Sequence, residues 1–427
     1  MSIRKKLVEE KGIVGVWGLG YVGLTTACAF AREGVRVHGY DIDLDIVQSI
    51  NSGKCHIPNL ERWLGYSIKE LTDFEILHAV ASPALMKDCD VHFVAVPTEK
   101  DGKPWMQPLD DVLNQIGRGS LVIIESTLVP GTTQTYINKG LRLAVSPRRD
   151  FFNKPEYNLR NLPRIYSGQD RDVSKIVREV LSIVCDTLIE ADDLTQAELV
   201  KSVENSILHV CATYAQQLAL AYPNVDIRKV LKLASTHWRI PLYYPSMGTG
   251  GYCIPLSSQY VKQGAKRPGE LTLCDETIRY DGSQPARIAS IIANRIGDRL
   301  RIAILGLCYK GDLKVIKGSP ALPIIDELKR LGKNVFVHDP YFGKTEILRI
   351  TNATPIFFPA HLRDMDAIII ISDHQMYKGI CHPCLNSCLK SGQIILDNYG
   401  VWENRQSEFD RLGIIYHTMG DKGWTLK

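Results

Sequence analysis

The chain has no hydrophobic run long enough to span a membrane, and the basic residues at its start are not followed by the apolar core of a signal peptide. We therefore expect a cytoplasmic protein with no membrane partner. Neither sign of charge dominates, because 51 Lys and Arg residues face 47 Asp and Glu residues in a chain of 427. The basic residues are scattered, which does not indicate a nucleic-acid partner, although a small anionic ligand suits the net charge of +4.

Cysteine residues are present, but their spacing does not give the complete pattern of a metal site. The eleven cysteines are an odd number spread among helix-like and strand-like segments, which predicts reduced thiols. Residues 381–384 (Cys-His-Pro-Cys) together with Cys388 have the short spacing of a zinc knuckle, and His374 lies upstream. A closed zinc site needs four ligands at defined spacing, and a second ligand pair is missing. We therefore favour a loop with incidental thiols and no metal.

A glycine-rich turn near the start separates two predicted strands. Residues 12–17 form an apolar run, residues 24–32 are typical of a helix, and residues 35–40 form a second strand that ends at Asp41. The glycine spacing is GxGxxG, which in this context predicts a turn that lets a pyrophosphate approach the backbone. The charge of Asp41 disfavours a 2′-phosphate, so we expect NAD rather than NADP. The expected cofactor-binding residues here are Gly18, Gly20, Tyr21, Val22, Gly23 and Asp41.

Two further apolar strands end close to threonines. Residues 90–96 precede Thr98, and residues 120–124 precede Thr127. In open parallel sheets ligands bind at the carboxyl ends of the strands, so both threonines are candidates for cofactor binding or for the active site. Turn or helix capping explains either threonine equally well.

A long helix is predicted in the middle of the chain. Residues 197–220 contain neither proline nor glycine, and apolar residues recur at helical spacing. Lys201 and Asn205 are four residues apart, so both project from one face beside this stripe. A long helix between two α/β halves is a natural spine and a surface for a homodimer. The apolar stripe consists of Val200, Val203, Ile207, Val210 and Tyr214.

The alternation of strands and helices resumes near residue 301 without a second dinucleotide fingerprint. We therefore predict an α/β fold with two Rossmann-like doubly wound domains joined by a long central helix. Residues 1–190 are expected to bind NAD. Residues 191–297 are expected to form a helical dimerisation region with a cysteine loop, and residues 298–427 a second Rossmann-like domain for the nucleotide sugar that the resemblance below implies.

That cysteine loop, residues 248–255, reads Gly-Thr-Gly-Gly-Tyr-Cys-Ile-Pro and carries one thiol, Cys253. Glycine lets backbone amides approach a ligand closely, and proline stiffens the chain that follows. This arrangement suits a nucleophile held beside a bound anion. From the loop alone, a tight turn with an inert cysteine is the alternative.

Several motifs in one order resemble the UDP-glucose/GDP-mannose dehydrogenase family over nearly the whole chain. The resemblance implies NAD-dependent oxidation of the C6 hydroxyl of a nucleotide sugar, UDP-glucose-like, to a uronic acid. It also implies that Cys253 attacks the intermediate aldehyde to give a thiohemiacetal and then a thioester, which water hydrolyses. The motifs are residues 18–24, residues 125–127 with 129–131, Lys201 with Asn205, residues 245–255, residues 305–310 through 319–321, and residues 339–340.

The resemblance assigns roles to individual residues. Lys201 favours the thiolate and stabilises oxyanions, and Asn205 donates a hydrogen bond to the same oxygen. Thr127 positions water or the nicotinamide side. Lys317 stands at the cofactor where the family usually has arginine, and it keeps the charge without the bidentate fork. The implied substrate-binding residues are Lys201, Asn205, Arg239, Tyr243, Tyr244, Ser246, Gly250 and Lys310.

The chain departs from the family where acids usually assist hydrolysis. Residues 148–150 are Arg-Arg-Asp instead of a segment with glutamate, and Phe152 takes the later acidic position. Asp150 and Glu156 are the candidate substitutes. The alternatives are therefore oxidation that stops at the 6-aldehyde, an unusual nucleotide sugar, or a catalytically weak protein that binds nucleotide sugar and NAD. Two further pairs also differ from the family pattern, Leu256-Ser257 and Gln216-Gln217.

Overall fold

A computed structural model describes residues 2–150, 155–251 and 253–425, and the chain forms two compact units. Unit 1 comprises Met1–Glu204 and Leu256–Glu270, and unit 2 comprises Asn205–Pro255 and Leu271–Lys427. One division falls inside a long helix, so each unit contains residues of the predicted central region. Phe152 lies outside the described residues.

Unit 1 is built on a large sheet, and β5 and β6 form a separate two-stranded sheet. The strands of unit 1 are β1 (Ile13–Trp17), β2 (Arg36–Tyr40), β3 (Leu77–Val80), β4 (Val91–Val94), β5 (Glu99–Lys100), β6 (Lys103–Pro104), β7 (Leu121–Ile124), β8 (Arg142–Val145), β9 (Arg164–Gly168) and β10 (Leu188–Glu190). Eight of them form one sheet in the order β10-β9-β8-β7-β4-β1-β2-β3, in which β8 and β9 pair antiparallel. The run β3-β2-β1-β4-β7-β8 has the strand order of a dinucleotide-binding Rossmann sheet.

The helices of unit 1 are α1 (Ile3–Glu9), α2 (Tyr21–Arg32), α3 (Leu44–Asn51), α4 (Leu60–Leu64), α5 (Ile68–Asp73), α6 (Gln107–Leu113) and α7 (Arg171–Leu181). The long helix α8 (Leu194–Ala221) begins in unit 1, and its residues from Asn205 onward belong to unit 2. Its start is fixed by Asp193, whose Oδ1 accepts the N–H of Gln196 at 2.8 Å. Such a cap satisfies one of the backbone donors left unpaired at the start of every helix.

Unit 2 has a six-stranded parallel sheet. The strands are β11 (Arg301–Leu305), β12 (Asn334–His338), β13 (Thr354–Pro355), β14 (Ala367–Ile370), β15 (Ile394–Asp397) and β16 (Ile415–Thr418). Their order, β13-β12-β11-β14-β15-β16, repeats the Rossmann order. This confirms the prediction of two Rossmann-like domains.

Helices make up the rest of unit 2. They are α9 (Ile227–Ala234), α11 (Thr272–Ile296), α12 (Ala321–Arg330), α13 (Lys344–Thr351), α14 (Gln375–Lys378), α15 (His382–Asn386) and α16 (Gln406–Leu412). Another helix, α10 (Cys253–Gly264), starts in unit 2, and its residues from Leu256 onward belong to unit 1. Across the described ranges, no helix combines the length and the apolar character that crossing a membrane requires.

Polar side chains occupy part of the buried face of α8. Of the predicted apolar stripe, Val203, Ile207 and Tyr214 are 37%, 55% and 59% exposed. Alanines such as Ala215 and Ala219 are buried on this helix as well. The buried polar positions recur at heptad-like spacing, and they are Ser202, Ser206, His209, Thr213 and Gln216.

The expectation of reduced thiols is wrong at one place. Cys381 and Cys384 form a disulfide, whereas the remaining cysteines are not disulfide-bonded. The reason is local, since Cys381 caps α15 and Cys384 lies in its first turn, where the Cys384 N–H donates to the Cys381 Sγ at 3.1 Å. The Cys-x-x-Cys spacing of a zinc knuckle therefore forms a short turn that is closed by a disulfide between Cys381 and Cys384.

Candidate functional site

The glycine turn of unit 1 joins the end of β1 to the start of α2 and leaves no room for side chains at two positions. A Cβ on Gly18, which has φ +85°, would lie 2.6 Å from the carbonyl oxygen of Ala95. A Cβ on Gly23 would lie 1.8 Å from the carbonyl oxygen of Gly18. In contrast, nothing lies within 4 Å of a Cβ built on Gly20. The turn is thus tightly packed at Gly18 and Gly23 and open at Gly20. The open position leaves space for a pyrophosphate beside the backbone at the N-terminus of α2.

Asp41, at the end of β2, is tied to this turn. Its Oδ2 accepts the N–H of Leu19 at 2.7 Å, and its Oδ1 accepts the N–H of Asp43 at 3.0 Å. A carboxylate oxygen has two lone pairs, so each oxygen still has one acceptor position for a ribose hydroxyl. The structure therefore brings Gly18, Gly20 and Asp41 together, as the sequence predicted, and Tyr21 and Val22 form the first residues of α2.

The two threonines predicted at strand ends lie side by side. Thr98 follows β4 and Thr127 follows β7, which are neighbouring strands. The Oγ1 of Thr98 donates to the carbonyl oxygen of Thr127 at 2.6 Å. Tyr260 of α10 donates its hydroxyl to the carbonyl oxygen of Thr98. Thr98 therefore has a structural role in joining two strand ends, and Thr127 is positioned by that bond.

The segment that departs from the family forms a buried ion pair. The guanidinium of Arg148 donates from Nε to Oδ1 of Asp150 at 2.7 Å and from Nη2 to Oδ2 at 2.6 Å. Burial alone would raise the pKa of the Asp150 carboxyl, but the charge and hydrogen bonds of Arg148 outweigh it and lower that pKa. The same guanidinium donates to Thr26 and to the carbonyl oxygen of Val22 on α2. Asp150 is therefore held as an ionised partner of Arg148, which makes it a poor general base.

A second buried ion pair, between Glu125 and Arg164, joins the same network. Glu125 accepts a hydrogen bond from the hydroxyl of Thr26 at 2.6 Å, and Arg164 donates from Nε to the hydroxyl of Ser146 at 2.7 Å. Sequence reasoning missed Arg164. The other candidate acid, Glu156, lies exposed on a short 3-10 turn. Among the described residues, none of these acids is both buried and uncommitted.

Helix α8 is anchored in unit 1 by Glu198. Its Oε1 accepts the N–H of Thr133 at 2.8 Å and the hydroxyl of Thr133 at 2.6 Å, and its Oε2 accepts the N–H of Gly131 at 2.5 Å. Burial raises the pKa of this carboxyl. These bonds fix the helix against residues 129–131, which the sequence had marked as a motif. Lys201 is half-buried one turn further along α8, and Asn205 follows it by another turn.

In unit 2, Cys253 of the cysteine loop is the first residue of α10. The Cys253 side chain is exposed. The Nδ2 of Asn205, a residue only 7% exposed, points to the Cys253 carbonyl oxygen at 3.5 Å. The structure therefore brings together two of the predicted catalytic residues, Cys253 and Asn205.

Buried polar side chains of α8 and α11 hold this loop from beneath. Oδ1 of Asp281 accepts the N–H of Thr249 at 3.1 Å, and its Oδ2 lies 3.2 Å from Nε2 of His209. Gln216 donates to the hydroxyls of Ser246 and Thr249 at 3.2 and 3.3 Å. Sequence reasoning missed His209 and Asp281, although polar residues at heptad-like spacing on a long helix were a signal. Gln216, noted as a departure from the family, has a defined role here.

Glycine is required where the loop meets the segment that carries Lys310. A Cβ on Gly250 would lie 2.2 Å from the Cβ of Tyr309, the residue before Lys310. A Cβ on Gly318 would lie 2.4 Å from the carbonyl oxygen of Gly251. Lys310, next to Tyr309, and Lys317, next to Gly318, therefore both belong to segments that contact the cysteine loop within unit 2. Lys310 is half-buried and Lys317 is exposed.

The remaining predicted substrate residues lie before the loop. Tyr243 is half-buried, and Tyr244 is 39% exposed with the guanidinium of Arg228 over its ring at 4.4 Å. The hydroxyl of Ser246 donates to the carbonyl oxygen of Gly248 at 3.0 Å. Arg239 is exposed, with its guanidinium over the ring of Trp238 at 4.6 Å. Ser246 is thus bonded to the first residue of the loop, and Arg239 lies exposed at the surface.

Among the residues that the structure describes, one group has the proximity of metal ligands, namely Cys308, Asp339 and His374. The N–H of Asp312 donates to Nδ1 of His374 at 2.9 Å, so the proton of this ring lies on Nε2, which is 3.1 Å from Oδ2 of Asp339. That oxygen also accepts the N–H of Leu307 at 2.7 Å. Both ring nitrogens are therefore engaged in hydrogen bonds that hold the ends of β11 and β14. This group is structural.

The two Rossmann sheets and the open glycine turn define an NAD-binding oxidoreductase. Sequence models of the UDP-glucose/GDP-mannose dehydrogenase family match three parts of the chain. These are the NAD-binding domain at residues 13–178, the central domain at residues 195–279 and the UDP-binding domain at residues 303–404. The chain belongs to this family of NAD-dependent nucleotide-sugar dehydrogenases.

Individual relatives agree with this assignment. A UDP-N-acetyl-D-mannosamine dehydrogenase of Pyrococcus horikoshii is 29% identical over 418 residues, which cover 91% of this chain and 95% of the relative. One of Methanococcus aeolicus is 26% identical over 457 residues and covers both chains fully. The solved structure of a UDP-D-ManNAc dehydrogenase from Pyrococcus horikoshii has a TM-score of 0.83 at 27% identity and covers 96% of this chain and 99% of its own.

Proposed function

We propose that this protein oxidises the C6 hydroxyl of a UDP-sugar to the uronic acid, with bound NAD accepting the hydride. The observation that carries the proposal is the position of Cys253, exposed at the first residue of α10, with its carbonyl oxygen next to Asn205. UDP-N-acetyl-D-mannosamine is the first substrate to test, because the relatives carry that name. UDP-glucose, expected from the sequence, is the second.

In this proposal, Cys253 attacks the aldehyde carbon at C6, and oxidation of the resulting thiohemiacetal gives a thioester that water hydrolyses. Asn205 donates a hydrogen bond to the oxygen of the adduct, and Lys201 supplies the cation that favours a thiolate. Thr127 orients water or the nicotinamide side, and Lys317 binds the cofactor. The proposed substrate contacts are Lys201, Asn205, Arg239, Tyr243, Tyr244, Ser246, Gly250 and Lys310.

A second candidate is an enzyme of the same family that stops at the 6-aldehyde. The ion pair between Arg148 and Asp150 favours it, because Arg148 binds both carboxylate oxygens of Asp150 and lowers the pKa of this carboxyl. A carboxylate in that state accepts a proton from water poorly. Hydrolysis of a thioester then lacks the assistance of this acid.

The experiment is a panel of nucleotide sugars with NAD, in which NADH absorbance and product mass are followed together. Two NADH per sugar and an acid support the first candidate, whereas one NADH and an aldehyde support the second. No NADH from any nucleotide sugar overturns the assignment as an enzyme. A Cys253→Ser variant is expected to lose acid formation, with Cys388→Ser as the control cysteine, and unchanged acid formation by Cys253→Ser contradicts the thioester route.

We also propose a homodimer that forms through α8. Val203, Ile207 and Tyr214 expose an apolar stripe along this helix, and exposed stripes of this kind mark interfaces between proteins. Light scattering is expected to give twice the monomer mass of 47.9 kDa. Ile207→Lys is expected to shift the protein to the monomer, and Phe74→Lys, at a residue 76% exposed in unit 1, is the matched control. A monomeric wild-type protein contradicts the proposal.

A further inference from the structure

The Cys-His-Pro-Cys turn at residues 381–384 has no part in the proposed reaction. It lies in unit 2, where α15 begins, and all four of its residues are exposed. Cys381 and Cys384 are joined by a disulfide. A pair of sulfur atoms at the surface, bonded in a protein whose other cysteines are not disulfide-bonded, needs a separate explanation.

A structural role explains this bond poorly. The stabilisation from a disulfide grows with the number of residues in the loop that it closes, and this bond joins positions three apart. The surrounding segment is held by other contacts. The guanidinium of Arg405 donates to the carbonyl oxygen of Ile380, Nδ1 of His382 lies 2.8 Å from Oε2 of Glu408, and Leu385 is fully buried. The turn therefore keeps its place with or without the bond between the two sulfur atoms.

The contacts of the pair distinguish its two sulfur atoms. The N–H of Cys384 donates to Sγ of Cys381 at 3.1 Å. A hydrogen bond to sulfur favours the thiolate over the thiol, and a thiol of lower pKa is the better leaving group in exchange. Cys384 is an exposed residue, so a small thiolate can approach it from solvent. The pair thus combines an exposed cysteine with a stabilised leaving group.

We propose that Cys381 and Cys384 form a reversible dithiol–disulfide pair, a modification site for low-molecular-weight thiols and disulfides such as glutathione. In reduction, a glutathione thiolate attacks Sγ of Cys384, the bond between the two cysteines breaks, and Cys381 leaves as the thiolate. A second glutathione thiolate attacks the glutathione sulfur of the mixed disulfide and releases Cys384. The pair gains two electrons and two protons, and two glutathione molecules become one glutathione disulfide. Oxidation is the reverse, with glutathione disulfide as the oxidant.

The test equilibrates the full-length protein in buffers of varied ratio of glutathione to its disulfide, followed by acid quenching, alkylation and peptide mass analysis. The peptide that carries Cys381 and Cys384 is expected to pass from no alkyl group to two in one reversible transition. Cys388→Ser, at a half-buried neighbour, is expected to leave the transition unchanged. A pair that stays bonded in excess glutathione, or that carries two alkyl groups at every ratio, overturns the proposal.

Two further measurements separate the roles of the cysteines. In buffer rich in glutathione disulfide, a folded Cys381→Ser variant, verified by circular dichroism, is expected to accumulate glutathione on Cys384, because no thiolate at position 381 remains to displace the glutathione by forming the intramolecular disulfide. In the reduced wild-type protein, a limiting amount of iodoacetamide is expected to label Cys381 several-fold faster than Cys384. Equal or reversed labelling contradicts the assignment of Cys381 as the leaving group, and absence of the mixed disulfide contradicts exchange at Cys384.

Discussion

Removal of the Asp281 carboxylate tests whether buried polar contacts hold the cysteine loop. Asp281 is 8% exposed, and it accepts the N–H of Thr249 at 3.1 Å and Nε2 of Gln216 at 3.4 Å. It also lies 3.2 Å from Nε2 of His209. Asp281→Ala leaves these three groups without that acceptor. Loss of the acceptor for the Thr249 N–H costs about 1–3 kcal/mol, and loss of the contacts with His209 and Gln216 adds to it, so we expect a total loss of about 2–4 kcal/mol.

The assay is urea unfolding followed by tryptophan fluorescence, combined with the KM for the nucleotide sugar. We expect a lower unfolding midpoint and a KM raised by about tenfold or more for Asp281→Ala, since a mobile loop loses its binding geometry. Asp281→Asn keeps an oxygen for Thr249 and is expected to lose about 1 kcal/mol.

The matched control is Gln284, one turn along α11. Gln284 is fully buried, and both of its side-chain amide atoms lack a hydrogen-bond partner among the described residues. Gln284→Met removes an unsatisfied amide of similar volume, so we expect no loss and a gain of about 1 kcal/mol. If Asp281→Ala and Gln284→Met destabilise the protein equally, hydrogen bonding is not what holds the cysteine loop against α8 and α11, and the reasoning is refuted.

Three further predictions concern Gly250, Arg148 and His338. Gly250→Ala is expected to lower kcat/KM by at least about tenfold, because its Cβ would lie 2.2 Å from Tyr309, whereas Gly269→Ala has open space and serves as the control. Arg148→Met leaves the buried Asp150 charge unpaired and is expected to cost about 3–5 kcal/mol in urea unfolding, as measured near pH 7. Because the folded-state pKa of Asp150 is lowered, the stability from this pair is present above the ordinary carboxyl pKa of about 4 and is lost as the pH falls below it. Burial lowers the pKa of His338 to about 4, so the unfolded chain binds a proton near pH 6.5 before the folded chain does, and stability falls from about pH 6.5 to about pH 4. A His338→Gln variant is expected to show a shallower decline over that range, and an unchanged slope contradicts the assignment.

The fold was predictable because its signals are local. Short apolar runs, a glycine spacing and a helix without proline or glycine each follow from a few neighbouring residues, and two Rossmann sheets are the arrangement that satisfies them. The added strands β9 and β10 and the break in direction between β8 and β9 were missed. They depend on pairing between segments that are distant in sequence, which periodicity does not report. The disulfide was missed because a Cys-x-x-Cys spacing fits several outcomes and its geometry decides among them.

The glycines of the turn and Cys253 could be chosen as candidates from the sequence, because their spacing restricts the chemistry. The buried residues that hold the loop could not be predicted from the sequence, because Asp281 and His209 meet only when two long helices pack together. Asp150 shows the opposite case. The sequence offered it as a substitute acid, but the neighbouring Arg148 donates hydrogen bonds to both of its oxygens and lowers the pKa of the carboxyl. A carboxylate in a sequence is an effective general base only if the fold leaves it a suitable pKa.

The cysteine loop is restrained from two sides, and the two restraints differ in kind. On one side, a Cβ on Gly250 would lie 2.2 Å from the Cβ of Tyr309, which excludes any side chain, so contact with the Lys310 segment is steric. On the other side, Asp281 and Gln216 bind the loop through hydrogen bonds that small movements weaken gradually. A nucleophile gains rate from a fixed position, and a substrate loop needs room to admit its ligand. The steric contact therefore limits where the loop can lie, and the hydrogen bonds of Asp281 and Gln216 determine how tightly it is held there. Gly250→Ala should accordingly reduce kcat and raise KM together, whereas Asp281→Asn should act mainly on KM.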